Sequence, residues 1–206
     1  MSAPTTPENP GDGARCFLAL LPDAASRSAL RGLRESLDGP HGGGMRGVRW
    51  LDTASVHLTL RFLGESTYAQ IESLKAGLPA LACATNRIEG RRLAIWPNRV
   101  RPRLLVLELE ASDGLLALAR ECEALAREAG FPPEPRRFKP HMTLARLRPG
   151  CAPGVLPPTS LAITFDAVAL VQSMLAHPAA TYRELARVPL AAPAHDAEDH
   201  GQSGHG

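Results

Sequence analysis

Two copies of a His-x-Thr-x motif are the residues of this chain best suited to chemistry. The copies are His57-Leu58-Thr59-Leu60 and His141-Met142-Thr143-Leu144. Each copy lies where apolar and polar residues alternate, which predicts a strand. Because side chains alternate across a strand, the histidine and threonine of each copy share one face, ~7 Å apart along the chain. The intervening residues face the other side and are predicted to supply core.

Two histidines that face one cleft can act as an acid–base pair near neutral pH. The threonine hydroxyls can donate hydrogen bonds to the non-bridging oxygens of a phosphate. The sequence has no carboxylate cluster suited to Mg²⁺ and no third zinc ligand at a familiar spacing. We therefore expect phosphodiester chemistry without a metal or other cofactor. The pattern alone also fits half-buried strand histidines whose hydrogen bonds are satisfied by neighbouring hydroxyls.

The elements that must position these motifs are a mixture of strands and helices. Alternation and helical spacing predict strands at 15–21, 48–51, 55–63, 87–96, 103–110, 141–147, 161–171 and 181–188, and helices at 24–37, 67–78 and 113–129. This order indicates an α+β domain of two similar halves, with one motif in each half. Within the strand at 55–63, alternation places Arg61 on the face of His57 and Thr59, and places Phe62 in the core.

Length and composition are those of an ordinary globular protein. The chain has 206 residues, of which 44% are hydrophobic, and this is enough to bury a core without disulfides or a structural metal. No apolar run approaches the ~18 residues of a membrane span. The first residues lack the charge and apolar core of a signal peptide, so we expect a cytoplasmic protein. Disordered tails are predicted at 1–14 and at 191–206, the latter acidic and His-rich, around a domain at 15–190.

The predicted domain is basic. All 23 Lys and Arg residues lie between positions 15 and 188, together with 16 of the 21 acidic residues. This balance suits an anionic ligand, although an arginine-rich composition can also reflect genomic base content. The four cysteines, at positions 16, 83, 122 and 151, form no CxxC pair, so free thiols are expected.

Further stretches extend the two motifs into a longer pattern. They are RCFLA at 15–19, Trp50, VHLTLRFLGE at 56–65, FKPHMTLAR at 138–146, LVQS at 170–173, Tyr182 and Leu185. Together they cover about residues 15–188 and resemble the 2H phosphoesterases. Within that superfamily the pattern is most similar to the RNA 2′,3′-cyclic phosphodiesterase group, also called 2′-5′ RNA ligase.

The resemblance implies a bilobal α+β fold, with two pseudo-twofold-related lobes of antiparallel sheet plus helices around a central cleft. It implies hydrolysis of a terminal 2′,3′-cyclic phosphate on RNA to a 2′-phosphate, with a weak reverse 2′-5′ ligation. His57 would be the proton donor, His141 the proton acceptor, and Thr59 and Thr143 would hold the phosphate. The implied partner is RNA with a 2′,3′-cyclic phosphate end, bound by a monomer without membrane contact.

Other residues are candidates for substrate binding. The family suggests that Arg146 approaches the phosphate, although strand parity turns it away unless a bulge re-aims it. Arg61 has the right parity, and Phe17 and Tyr182 could stack on a base. A basic cluster before the second motif either touches RNA phosphates or is a solvated loop: Arg136, Arg137 and Lys139.

Two alternatives stay open at this point. A related enzyme could act on small cyclic nucleotides or 2′-5′ oligonucleotides with the same catalytic residues. A non-catalytic RNA-binding module would instead show affinity without turnover and a marked salt dependence. Two intact His-Thr pairs argue against the second alternative, because binding alone does not require two histidines.

Overall fold

A computed structural model of the protein describes residues 14–39, 47–81, 86–151, 154–174 and 181–190. Its strands are β1 (Ala14–Pro22), β2 (Val48–Trp50), β3 (Leu58–Ser66), β4 (Arg87–Trp96), β5 (Leu104–Leu109), β6 (His141–Leu147), β7 (Leu161–Met174) and β8 (Thr181–Pro189). Its helices are α1 (Ala24–Asp38), α2 (Tyr68–Gly77) and α3 (Asp113–Glu128), with 3₁₀ turns at Thr53–Ser55 and Leu78–Ala80. The predicted tails lie outside the described residues, except that Ala14 begins β1.

The strands of the described chain form an antiparallel sheet with two matching halves. One half has the order β8-β7-β1-β3, and the other has the order β4-β5-β6-β2. The halves join where Leu58 of β3 pairs with Met142 of β6. They join again where residues 87–90 of β4 pair with residues 161–164 of β7. The expected bilobal α+β fold is therefore confirmed, and the two motif strands β3 and β6 lie side by side at its centre.

Each half contains the same strand–helix–strand unit, which delivers one motif. In the first unit α1 follows β1, and in the second α3 joins β5 to β6. Asp23 begins α1 by accepting a hydrogen bond from the Ser26 amide at 2.6 Å. Gly130, in the left-handed region with φ of 85°, follows the end of α3. These local signals set where each helix starts or stops, and hence where the following motif strand enters the sheet.

The buried faces of the motif strands anchor them in the core. Leu58 and Met142 have no exposed surface, and Leu60 and Leu144 are also buried, as the alternation predicts. They pack in one core with apolar residues of the helices, among them Leu30, Leu37, Leu115, Leu118 and Cys122. Burial of such side chains contributes about 1.5–3 kcal/mol each, which holds the opposite, motif-bearing faces in place.

A β-bulge interrupts each motif strand at the same point. The bulged residue is the last of each His-x-Thr-x motif, Leu60 in β3 and Leu144 in β6. There the motif strand advances by two residues while its partner advances by one, which reverses the alternation that follows. The residues that turn inward after the bulges are Arg61 and Ala145, and the exposed ones that come next are Phe62 and Arg146.

The predicted alternation at 55–63 is wrong beyond this bulge. Phe62, expected in the core, is 49% exposed, and Arg61, expected on an open face, is only 7% exposed. The strand also begins at Leu58 rather than at 55, because a 3₁₀ turn occupies Thr53–Ser55. Asp52 caps that turn by accepting a hydrogen bond from the Ala54 amide at 3.0 Å. His57 therefore lies immediately before β3.

Two further expectations concern cysteines and membranes. Cys16, Cys122 and Cys151 are buried and form no disulfide among the described residues, which agrees with the prediction, and Cys83 lies outside the described residues. In the part of the chain that the structure describes, no helix is both long and apolar enough to cross a bilayer.

Candidate active site

The two motifs face a common cavity of about 860 Å³. All eight residues that the sequence singles out for catalysis or substrate binding line it: Phe17, His57, Thr59, Arg61, His141, Thr143, Arg146 and Tyr182. The structure thus brings together positions that are up to 165 residues apart in the sequence. How each side chain is held decides what it is able to do there.

His57 is fixed by a backbone hydrogen bond and by aromatic packing. Its Nδ1 lies 2.8 Å from the carbonyl oxygen of Ser55. Its ring stacks on Phe17 at a centroid distance of 4.7 Å, and the Tyr182 ring meets it edge-on at 5.1 Å. Phe17 also contacts Tyr182 edge-on. The aromatic pair therefore closes one side of His57 and orients its imidazole.

His141 is held in the same way from the other lobe. Its Nδ1 lies 2.8 Å from the carbonyl oxygen of Lys139, two residues back, as Ser55 is from His57. The Trp96 ring lies over it with centroids 4.2 Å apart. Each histidine thus has a carbonyl at position −2 and an aromatic ring from another strand, Phe17 of β1 for His57 and Trp96 of β4 for His141.

The backbone carbonyls fix the tautomer of both neutral rings. A carbonyl oxygen only accepts a hydrogen bond, so each Nδ1 must carry the proton and donate it. The Nε2 of each ring then has a free lone pair, available as a base or, once protonated, as an acid. Both imidazoles are therefore prepared for proton transfer through the same nitrogen.

The two histidines have different electrostatic surroundings. Burial is the main cause that lowers the pKa of His57 below its ordinary value, and the nearby His141 lowers it further. Burial also lowers the pKa of His141, but the Glu108 carboxylate opposes this change. The Lys139 and Ser55 carbonyls favour the charged form of their respective rings. The surroundings of the two histidines thus differ in a feature that affects their pKa values, because the Glu108 carboxylate lies beside His141.

The motif threonines present unused hydroxyls. Thr59 and Thr143 are half-buried and line the cavity. Within the described ranges neither hydroxyl has a protein hydrogen-bond partner. Because a half-buried hydroxyl gains free energy from a partner, both are suited to donate to an anion in the cavity.

The bulges explain the different positions of Arg146 and Arg61. Simple parity turns Arg146 away, but the bulge at Leu144 makes it exposed and places it in the cavity lining with His141. Arg61 lines the same cavity, yet its guanidinium donates to the Glu123 carboxylate, to the Phe62 carbonyl and to the Pro132 carbonyl. Its contacts favour a structural role that ties β3 to α3 and to the loop after α3.

The predicted base-stacking residues contact His57 instead of an open surface. Phe17 is buried and gives its ring face to His57. Tyr182 is half-buried at the cavity wall. The exposed aromatic ring at the cavity is Phe62, with the Arg136 guanidinium 5.6 Å above its ring. The contacts therefore make Phe17 a positioning residue and leave Phe62 as the accessible stacking surface.

Sequence reasoning missed Trp96 and Glu108. Glu108 lies opposite His141 in the β5–β6 register and accepts hydrogen bonds from Trp96 Nε1 at 2.8 Å and from Arg92 Nε at 2.7 Å. These bonds lower the pKa of its carboxyl although burial opposes them, so the group is ionised near His141. The only signal in the sequence is an acid among apolar residues in RLLVLELE, which marks no partner.

The three residues of the basic cluster before the second motif differ in whether they form ion pairs. Arg136 pairs with the Glu134 carboxylate through Nε at 2.7 Å and Nη2 at 3.0 Å. Arg137 and Lys139 are exposed and, among the described residues, have no ion-pair partner. One member of the cluster is thus structural, and two remain available to an anion.

Two lobes that each bring a histidine and a threonine to one cleft define a protein of the 2H phosphoesterase fold. A sequence model of the family described as LigT-like phosphoesterase matches residues 21–106 and 107–182. The chain belongs to this LigT-like phosphoesterase family, as the sequence resemblance predicted.

Curated relatives carry a consistent name. RNA 2′,3′-cyclic phosphodiesterase of Bacillus subtilis is 33% identical over 100 residues, which is 48% of this chain and 55% of the relative. The protein of that name from Aeropyrum pernix is 32% identical over 102 residues, 49% of this chain and 58% of the relative. The matched part of the chain thus spans little more than half the length of these relatives.

Solved structures agree with the fold over a longer span. The crystal structure of TT0787 from Thermus thermophilus has a TM-score of 0.73 and 28% identity, covering 85% of this chain and 97% of that one. Escherichia coli LigT complexed with 3′-AMP has a TM-score of 0.68 and 24% identity, covering 87% and 99% respectively. The second likeness concerns the fold alone.

Proposed function

We propose that this protein is an RNA 2′,3′-cyclic phosphodiesterase that opens a terminal cyclic phosphate to a 2′-phosphate by two-histidine acid–base catalysis. The observation that carries this proposal is the matched pair of imidazoles on one cavity, each with Nδ1 fixed by a carbonyl and with no hydrogen bond from Nε2 to any of the described residues. Family membership and the names of the curated relatives support the same substrate class.

The proposed proton path uses the two Nε2 atoms in opposite roles. His141 Nε2 takes a proton from water as the water oxygen bonds to phosphorus. The bond from phosphorus to the ribose 3′ oxygen breaks, and that oxygen takes the proton of His57 Nε2. The Glu108 carboxylate stabilises the imidazolium that forms at His141, which supports His141 as the proton acceptor. With a 5′-hydroxyl in place of water, the same sequence of proton transfers joins the two ends through a 2′-5′ bond.

The phosphate is held by neutral and cationic donors. Thr59 and Thr143 donate their hydroxyls to the non-bridging oxygens, and Arg146 adds a positive charge from the re-aimed end of β6. All these donors belong to the protein, so the proposed mechanism requires no metal ion. Among the described residues, no group of three His, Cys, Asp or Glu side chains is arranged to hold one.

The proposal is tested by identifying the product end of a short RNA that carries a 2′,3′-cyclic phosphate, in the presence of EDTA. A 2′-phosphate product at an undiminished rate in EDTA is expected. A cyclic mononucleotide in a parallel reaction separates an RNA enzyme from one that prefers small substrates. Tight RNA binding without turnover of either substrate would contradict the proposal and favour a binding module.

The depressed histidine pKa values predict an acidic optimum for the reaction. Catalysis needs one neutral and one protonated imidazole, and burial lowers both pKa values below the usual value of about 6.5. As pH rises above both values, the protonated acid becomes scarce and kcat/KM should fall roughly tenfold per pH unit. A pH profile of kcat/KM on the cyclic phosphate checks this, and a plateau extending above pH 8 would contradict it.

Replacing Glu108 with glutamine should lower the pKa of His141 further. The amide keeps an oxygen for Trp96 Nε1 but removes the charge that favours the imidazolium. Titration of the His141 ring protons by NMR should show the lower pKa, and one limb of the pH profile should move to lower pH. Glu110→Gln is the matched control, because Glu110 pairs with Arg91. An unchanged His141 titration in Glu108→Gln would refute the electrostatic coupling.

A further inference from the structure

A second cavity opens beside the first on the His141 side. This side groove has a volume of about 680 Å³ and lies between α3, the end of β3 and residues 134–139. It adjoins the catalytic cavity, and six residues line both: Thr59, Arg61, Phe62, Glu134, Arg136 and His141. A molecule bound at the histidines therefore has the side groove directly beside it.

Uncompensated positive charge distinguishes the side groove. Its two acids are already engaged, Glu123 by Arg61 and Glu134 by Arg136. Its three remaining cations are exposed, and in the part of the chain that the structure describes they have no ion-pair partner: Arg120, Arg137 and Lys139. Such a set attracts a polyanion whose charges repeat along its length.

The rest of the lining suits unpaired bases. Phe62 lines both cavities and is 49% exposed. Its ring is placed to stack on the base of a nucleotide next to the reacting phosphate. A groove of this volume is in the range that encloses a drug-sized ligand, which is the scale of one or two nucleotides. Cations along a groove with an aromatic ring at one end are the features by which proteins bind single strands.

The geometry points to the side groove as a binding site for a single-stranded RNA segment next to the reacting phosphate. The inference rests on the proposed function, because that function puts the RNA end between the histidines. The segment is either the continuation of the strand that carries the cyclic phosphate or a second strand with a 5′-hydroxyl. Both present the same chemistry, a sugar–phosphate backbone with unpaired bases.

The test compares substrates of different length in an Arg120→Gln/Arg137→Gln double variant. In the wild-type protein, kcat/KM should rise from a cyclic mononucleotide to a short oligonucleotide with the same end. The double variant should lose about tenfold on the oligonucleotide and less than about twofold on the mononucleotide. Its matched control is Arg31→Gln/Arg127→Gln, which removes equal charge from exposed helix positions outside both cavities.

The two sources of the segment are separated by competition. If an unreactive 5′-hydroxyl oligonucleotide inhibits the wild type but not the double variant, while the length effect is unchanged, the groove holds a second strand. If the length effect disappears in the double variant, the groove holds the substrate strand. The inference is overturned if the double variant keeps both the length effect and the inhibition by the 5′-hydroxyl oligonucleotide.

A binding measurement keeps the inference testable if no cyclic phosphate is turned over. The affinity for a plain single-stranded RNA is measured against salt concentration in both double variants. Removing two phosphate contacts should make the slope of log affinity against log salt shallower by about 1.4. An unchanged slope would overturn the inference. A shallower slope without turnover would support the groove while the proposed reaction fails.

Discussion

Alanine at His57 or at His141 should lower kcat/KM for opening of the cyclic phosphate by about 10²–10⁴-fold, the usual range for loss of a general acid or base. Each ring uses its Nδ1 to bind a backbone carbonyl, so Nε2 is the nitrogen left for proton transfer to or from the substrate. Alanine removes this nitrogen. Single-turnover hydrolysis of an RNA with a cyclic end measures the effect on the chemical step itself.

The double replacement is the stricter test of a paired mechanism. If the two rings act in one step, His57→Ala/His141→Ala should cost little more than either single replacement, because effects within one catalytic unit are not additive. Thr59→Ala and Thr143→Ala are the matched controls in the same strands, and they should cost less. Full activity in both single histidine variants would end the two-histidine hypothesis.

Methionine at Arg61 should lower the free energy of unfolding by about 3 kcal/mol. The substitution leaves the Glu123 carboxylate and the Pro132 carbonyl without their donor in a place where the Arg61 side chain is only 7% exposed. Denaturant unfolding followed by circular dichroism gives the change. Hydrogen exchange of the Glu134 and Arg136 amides should increase, because Arg61 holds that loop against α3.

Two further variants show whether the guanidinium fork is what matters. Arg61→Lys keeps the charge, but its single ammonium nitrogen cannot reach the three acceptors that the guanidinium nitrogens bind, so an intermediate loss is expected. Arg31→Met, on the exposed face of α1, should change stability by less than about 0.5 kcal/mol. If Arg61→Met were as stable as Arg31→Met, the described network would have no part in holding the loop.

Local sequence signals were sufficient to predict most of the fold. The alternation of apolar residues, the helical spacing, the start near Asp113 and the stop at Gly130 predict elements within a few residues of those observed. The resemblance supplied the arrangement of the lobes. Strand pairing across the centre, such as Leu58 with Met142, could not be derived locally because it depends on which edges the two halves leave open.

The bulges limited the prediction of the site. A period of two assigns every side chain after the threonine to a face, and one extra residue at Leu60 or Leu144 reverses the faces of the two residues that come next. This reversal turns Arg61 inward and brings Phe62 and Arg146 to the cleft. Nothing in the residue types marks a bulge here, since a leucine suits both the regular and the bulged strand.

The environment of His141 could not be predicted from the sequence for a different reason. Trp96 and Glu108 lie 45 and 33 residues before it in the chain, and they meet it only because β4, β5 and β6 are neighbours in the sheet. An isolated carboxylate in an apolar strand is a common surface residue. Its significance comes from cross-strand register, which a single sequence does not contain.

The repeated bulge also affects the orientation in which a nucleic acid strand would bind in the cleft. Two lobes with the same carbonyl-fixed histidine and the same threonine would accept a phosphodiester in either of two opposite orientations. The equivalent positions after the bulges differ, however, because one lobe has the ring of Phe62 and the other has the cation of Arg146. Under the proposed function, this pair of cleft positions therefore distinguishes the two orientations of the strand, as does the Glu108 carboxylate beside His141.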